Sequence, residues 1–145
     1  MKRLERVIVA GFAVAVVACS CSCSSPPAQS ASGELIESIT YEERFPLTTD
    51  VKESAIKGER LGKAVPILDR TQVTPLQGTF VAAEPGVDKS TLVVTIHGAS
   101  QRNRTIVVKN CAEPRVCSFF ASAFKSELVE RVPVVCRDGA RCIEP

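Results

Sequence analysis

Gly78 to Cys111 reads GTFVAAEPGVDKSTLVVTIHGASQRNRTIVVKNC, and this stretch decides the fold class. Three runs rich in Val, Ile, Thr and Phe, near 78–83, 90–97 and 104–111, are separated by Glu84-Pro85-Gly86 and by the polar tip Gly98 to Arg104. β-branched runs bounded by turn formers predict strands and tight reversals. Within the middle run Leu92, Val94 and Ile96 fall on one face and Val93, Thr95 and His97 on the other, because side chains alternate along a strand.

C-terminal to this stretch, Phe119, Phe120, Ala123, Phe124 and Leu128 recur at helical spacing. They predict a helix over 118–131, with Ser118 as N-cap and Pro133 as stop. VPVVC (132–136) then reads as a last short strand entering the Asp138-Gly139 turn. N-terminal to the stretch, AVPILDRTQV (64–73) is β-branched but broken by Pro66, which suits an edge or irregular strand. Asp50-Val51-Lys52-Glu53 has capping-box spacing and predicts a short helix over about 51–60. The expected fold class is α+β: a small antiparallel β-sheet with one C-terminal helix, stapled by disulfides.

The staple rests on CAEPRVC (Cys111 to Cys117) and CRDGARC (Cys136 to Cys142), each with five residues between its cysteines. Zinc ligands usually pair across two to four residues and thioredoxin-type sites use C-x-x-C, so this spacing fits neither. In an oxidising compartment four such thiols pair. Local loops, Cys111–Cys117 and Cys136–Cys142, are the preferred connectivity, each worth about 2 kcal/mol in the chain-entropy model. The nested alternative, Cys117–Cys136 with Cys111–Cys142, requires the chain after the helix to run back alongside it, because a fourteen-residue helix separates its ends by roughly 20 Å.

The compartment is written at the N-terminus. Lys2, Arg3 and Arg6 precede the apolar run Val7 to Val17, which is too short for the roughly twenty residues of a membrane-spanning helix and has the length of a secretory signal core. The run ends in Val16-Val17-Ala18-Cys19, which resembles the lipobox of bacterial lipoproteins. The resemblance covers about the first twenty residues. It implies cleavage before Cys19, diacylglycerol on the Cys19 sulfur, acylation (palmitate-type) of the new amino terminus, and, with Ser20 following, outer-membrane sorting in a Gram-negative envelope. Two or more acyl chains hold a protein on a membrane stably, where one alone is marginal. Residues 1–18 are thus a signal peptide. SCSCSSPPAQSASG (20–33) completes an acylated tether that spans 19–33 and includes Cys21 and Cys23, and 34–145 form one globular domain.

Residues 1–18 contain Lys2, Arg3, Arg6 and Glu5, so the 18 basic and 16 acidic residues of the chain become 15 and 15 in the mature protein. That balance removes the usual reason to expect a nucleic-acid partner. No phosphate-cradling glycine loop or nucleophile elbow is present, and the single histidine, His97, lacks neighbouring ligand residues in the sequence. The expectation is therefore a protein without catalytic residues, cofactor or metal. Arg102 and Arg104 at the hairpin tip, and Arg115, Arg137 and Arg141 in the cysteine-bracketed loops, are the candidate binding residues. The partners expected are membrane lipid, through Cys19, and an envelope protein of a secretion, conjugation or surface-exclusion type. VVKNCAEPRVC (107–117) also resembles the inhibitory loop of periplasmic lysozyme inhibitors, although its cysteine spacing is one residue longer and that family's loop histidine is absent.

The lipobox makes a direct prediction. Intact mass of membrane-extracted protein should show a chain beginning at Cys19 and carrying acyl groups, and Cys19→Ala should leave the chain unacylated and no longer in the membrane fraction.

Overall fold

A computed structural model describes residues 26–82, 90–110 and 112–136. Among them the elements are β1 (Ala28–Gln29), β2 (Leu35–Arg44), β3 (Val51–Ile56), α1 (Glu59–Arg70), β4 (Gly78–Val81), β5 (Thr91–Gly98), β6 (Asn103–Lys109) and α2 (Pro114–Lys125). Short 3-10 turns follow at Ala99–Gln101 and Val134–Cys136. No helix among the described residues is long and apolar enough to cross a membrane.

The α+β class holds, and the sheet is mixed. Its order is β1-β2-β5-β6-β4, with β3 beside β1 on the outer side of β2. β2, β5 and β6 form the antiparallel centre, with Tyr41 opposite Val94 and Val94 opposite Ile106. β4 runs parallel to β6 and corrects the expectation of a wholly antiparallel sheet. The reason is α1: a helix, not a hairpin, carries the chain from β3 at one edge to β4 at the other, and a crossover frees the next strand from the antiparallel sense.

Two helices, not one, cover the inner face. The segment expected to be an irregular strand over 64–73 lies mostly in α1, where Leu61, Ala64, Val65 and Leu68 are buried at helical spacing. Pro66 lies on the exposed side, so the missing N–H costs one intrahelical bond and the ring meets no core packing. The helix expected over 51–60 is instead β3 followed by the start of α1. As an edge strand, β3 buries only Ile56, so it carries no alternating pattern to read.

α2 begins four residues before the expected Ser118. Glu113 is the N-cap, its carboxylate accepting from Arg115 N–H at 3.2 Å, and Pro114 occupies the first turn. The helix ends at Lys125, not 131. Glu127 adopts φ 58°, Leu128 N–H donates to Ala123 O and Glu127 N–H to Phe124 O, a Schellman turn that reverses the chain. α1 ends identically, with Gln72 at φ 57°, Val73 N–H on Leu68 O and Gln72 N–H on Asp69 O. Each turn drives an apolar residue, Leu128 or Val73, into the core. Phe124 faces outward, 47% exposed. In place of the strand expected over 132–136, Val134–Cys136 forms a 3-10 turn with Val135 and Cys136 buried in the core, and Pro133 precedes it.

The core joins Ile39 and Tyr41 of β2 and Leu92, Val94 and Ile96 of β5 to Phe119 and Phe120 of α2. Tyr41 meets Phe120 edge-on at 4.8 Å, and Phe119 meets Phe120 at 5.1 Å. A bulge in β2 between Ile36 and Ser38 inserts Glu37, so Ile36 and Ile39, three apart, both point inward. Opposite Ile36 is Gly98, where a Cβ would lie 2.6 Å from the Arg102 carbonyl oxygen. The end of the expected tether also belongs to the fold: β1 pairs with Leu35 and Ile36, Ser30 is buried, and Ala31 N–H donates to Asp69 at 2.7 Å.

One charged side chain is sealed into this core. Glu43 of β2 is 0% exposed; Arg131 Nη1 meets its Oε2 at 2.5 Å, and Val134 N–H donates to its Oε1. A carboxylate buried this way is tolerable only while paired and hydrogen-bonded. Arg131→Met should therefore lower unfolding free energy by about 3 kcal/mol in urea titrations, while Glu43→Leu combined with Arg131→Met should recover most of that loss.

Candidate functional site

The structure distributes the candidate binding residues unevenly. Arg104 and Arg115 line one recess of about 400 Å³ with Asp69 and Thr74. Arg102 and Arg104 line an adjoining open recess of about 680 Å³ with Ser32 and Glu34. Arg137 and Arg141, like Cys19, Cys21, Cys23, Cys111 and Cys142, lie outside the described residues. Three arginines from the β5–β6 tip, β6 and α2 thus converge on the end of the domain where the β1–β2 turn meets the end of α1.

Each position has a local cause. Ser100 and Gln101 take left-handed φ of 64° and 61°, which tightens the β5–β6 connection and sets Arg102 at its exit. Arg104 lies opposite Ile96, on the inner face of β6, at the margin of the core. Arg115 projects from the first turn of α2.

Two of the three arginines are neutralised by carboxylates that sequence reading did not single out. Arg104 Nη2 lies 2.7 Å from Glu34 Oε2, both side chains about four-fifths buried. Arg115 holds Glu113 in a two-point fork, Nε to Oε1 at 2.7 Å and Nη2 to Oε2 at 2.9 Å. The Arg115 hydrogen bonds hold the Glu113 carboxyl below the usual carboxylate range against the opposing effect of burial. Glu113 was legible in principle, since a carboxylate directly before Pro114 is an N-cap signal. Glu34 was not, because its partner is seventy residues away in the chain.

Counting donors and acceptors defines what the recess offers. Both Asp69 oxygens are engaged, Oδ2 by Ala31 N–H and Oδ1 by the Thr74 hydroxyl, each at 2.7 Å. Arg104 Nε is buried and has no hydrogen-bond acceptor among the described residues. The recess therefore presents guanidinium donors with their local carboxylates behind them. With Asp69 included, it carries no surplus of positive charge, so it suits carbonyl or hydroxyl oxygens better than a polyanion.

The other sequence candidates have different surroundings. His97 Nε2 hydrogen-bonds the Thr40 hydroxyl at 2.9 Å on the outer sheet face. No cluster of His, Cys, Asp or Glu among the described residues is arranged to hold a metal ion. Cys117 and Cys136 are buried, 1% and 5% exposed, with their sulfurs 3.0 Å apart and not joined by a disulfide; the expected partners Cys111 and Cys142 lie outside the described residues, so the local staples are not shown. The Cys136 thiol hydrogen-bonds Cys117. That bond, burial and the nearby Glu43 charge push its ionisation far above the ordinary thiol range.

Comparison with protein-family models, with curated proteins and with solved structures finds no match to this chain.

The Glu113 geometry predicts a pH effect with a definite sign. Its folded pKa is depressed, so its stabilising contribution is complete above the unfolded value of about 4.3 and is lost as pH falls through the lower folded value. The urea midpoint of Glu113→Gln should fall below that of the parent at neutral pH, and the difference should shrink as pH falls through the depressed folded value.

Proposed function

We propose that this protein is a lipid-anchored component of a bacterial cell envelope, acting as a non-catalytic binding or assembly module. Its anchor is acylated Cys19, and its binding surface is the end of the domain that carries Arg102, Arg104 and Arg115. The observation that carries the reading is the lipobox-like Val16-Val17-Ala18-Cys19 directly after a basic and apolar leader. A dually acylated cysteine retains a small domain at a membrane surface without a spanning helix.

The short connection limits what the module can reach. Six residues lie between Cys19 and Pro26, so seven steps of at most about 3.5 Å join them. The start of the domain is therefore held within roughly 25 Å of the lipid headgroups, which favours a partner that is a membrane protein or is itself held near the membrane. The paired, pre-positioned arginines suit such a partner, because side chains already fixed by Glu34 and Glu113 lose little freedom on binding. The recess has no excess of positive charge for a phosphate backbone, which favours protein over nucleic acid.

Inhibition of a lysozyme-like hydrolase is less well supported. That mode needs a protruding cysteine-bracketed loop, whereas Pro114 to Cys117 form the first turn of α2 and the Cys117 side chain is buried.

Cross-linking in intact envelopes, followed by detergent extraction, should recover a defined membrane-associated protein with the parent chain. Arg102→Glu with Arg115→Glu should abolish that recovery, while His97→Ala should retain it. Equal recovery from all three chains would remove the arginine surface from the proposal, and inhibition of lysozyme by the purified parent would replace the proposal altogether.

A further inference from the structure

We propose that Cys117 and Cys136 form a disulfide in the mature protein, the inner pair of the nested connectivity. The inference rests on the export reading for its oxidising setting and on the fold for its choice of partners. The sequence favours local pairing because α2 alone carries the chain away from Cys117. The fold removes that objection: the Schellman turn at Glu127 reverses the chain, Arg131 and Val134 dock on Glu43, and the Val134–Cys136 turn returns to the first turns of α2. Cys136 thereby reaches hydrogen-bonding contact with Cys117, nineteen positions earlier, with both sulfurs inside the core.

The chemistry balances with a disulfide donor of the kind an exported chain meets. A thiolate of one cysteine attacks the donor, forming a mixed disulfide, and the second cysteine displaces the donor as a thiol. One S–S bond forms and one breaks, and the donor takes up the two electrons and two protons lost by the cysteines. Because both sulfurs are buried in the docked state, and burial and the Glu43 charge disfavour the Cys136 thiolate, exchange takes place before residues 126–136 dock. Docking then shields the bond from reductants. The disulfide holds covalently the same return of the chain that Glu43 holds by charge.

Trypsin separates the four C-terminal cysteines onto different peptides: 110–115, 116–125, 132–137 and 142–145. Full-length protein extracted from envelopes, alkylated without reduction and digested, should yield 116–125 joined to 132–137, lighter than the two reduced peptides by two hydrogens. In the native protein that bond should resist dithiothreitol until urea is added. A link between 110–115 and 116–125, or between 132–137 and 142–145, overturns the pairing while leaving the export reading intact. If envelope-extracted protein is wholly reduced, the oxidising setting fails. The reduced chain refolded with oxidised glutathione then tests the pairing alone: joining 116–125 to 132–137 supports it, and any other link overturns it.

Discussion

A carboxylate with no access to water governs this structure. Glu43 occupies an inward position on the central strand β2, where its neighbours Tyr41 and Leu92 are core residues. An uncompensated charge there would cost several kcal/mol, so the fold requires that Arg131 and the Val134 N–H come to it. That requirement reaches about ninety residues along the chain and shapes the course of residues 126–136. Residues 126–136 form neither helix nor strand because their task is to return to Glu43. The burial of Leu128, Val135 and Cys136 follows from that return.

Three backbone irregularities shape the core, and one of them, the turn at Glu127, starts the return. The bulge at Glu37 turns Ile36 inward in phase with Ile39. The two Schellman turns end α1 and α2 with side chains in left-handed conformation, Gln72 and Glu127, where glycine is usual. A non-glycine residue in that region carries a local cost, offset here by burial of Val73 and Leu128. Packing therefore decides both helix ends, against local preference.

The same logic shapes the arginine-lined end of the domain. Taken alone, Arg104 and Arg115 read as a basic patch. In the fold each has a carboxylate behind it, so the surface is directional in hydrogen bonding and nearly neutral in charge. A surface of this kind recognises by geometry more than by long-range attraction. It also lies on a domain whose reach from the proposed anchor is short, so geometry and proximity act together in selecting a partner.

Local pattern in the chain specifies the strands β4, β5 and β6, the inward set Leu92, Val94 and Ile96, and the apolar face of α2 containing Phe119, Phe120 and Ala123. These were legible because each element buries one face and so repeats its apolar residues at the period of its own geometry. β2 was hidden because the bulge breaks its alternation and because Glu43, a core residue, reads as surface. β3 was hidden because an edge strand exposed on both faces needs no pattern, and α1 because Pro66 signals a break that its exposed position makes harmless. The parallel pairing of β4, the carboxylate partners of Arg104 and Arg115, and the meeting of Cys117 with Cys136 emerge in the folded chain alone. Apart from the local Arg115–Glu113 fork, these depend on where the chain returns after each helix. That course is set by burial and charge compensation between residues far apart in the chain, which no local period encodes.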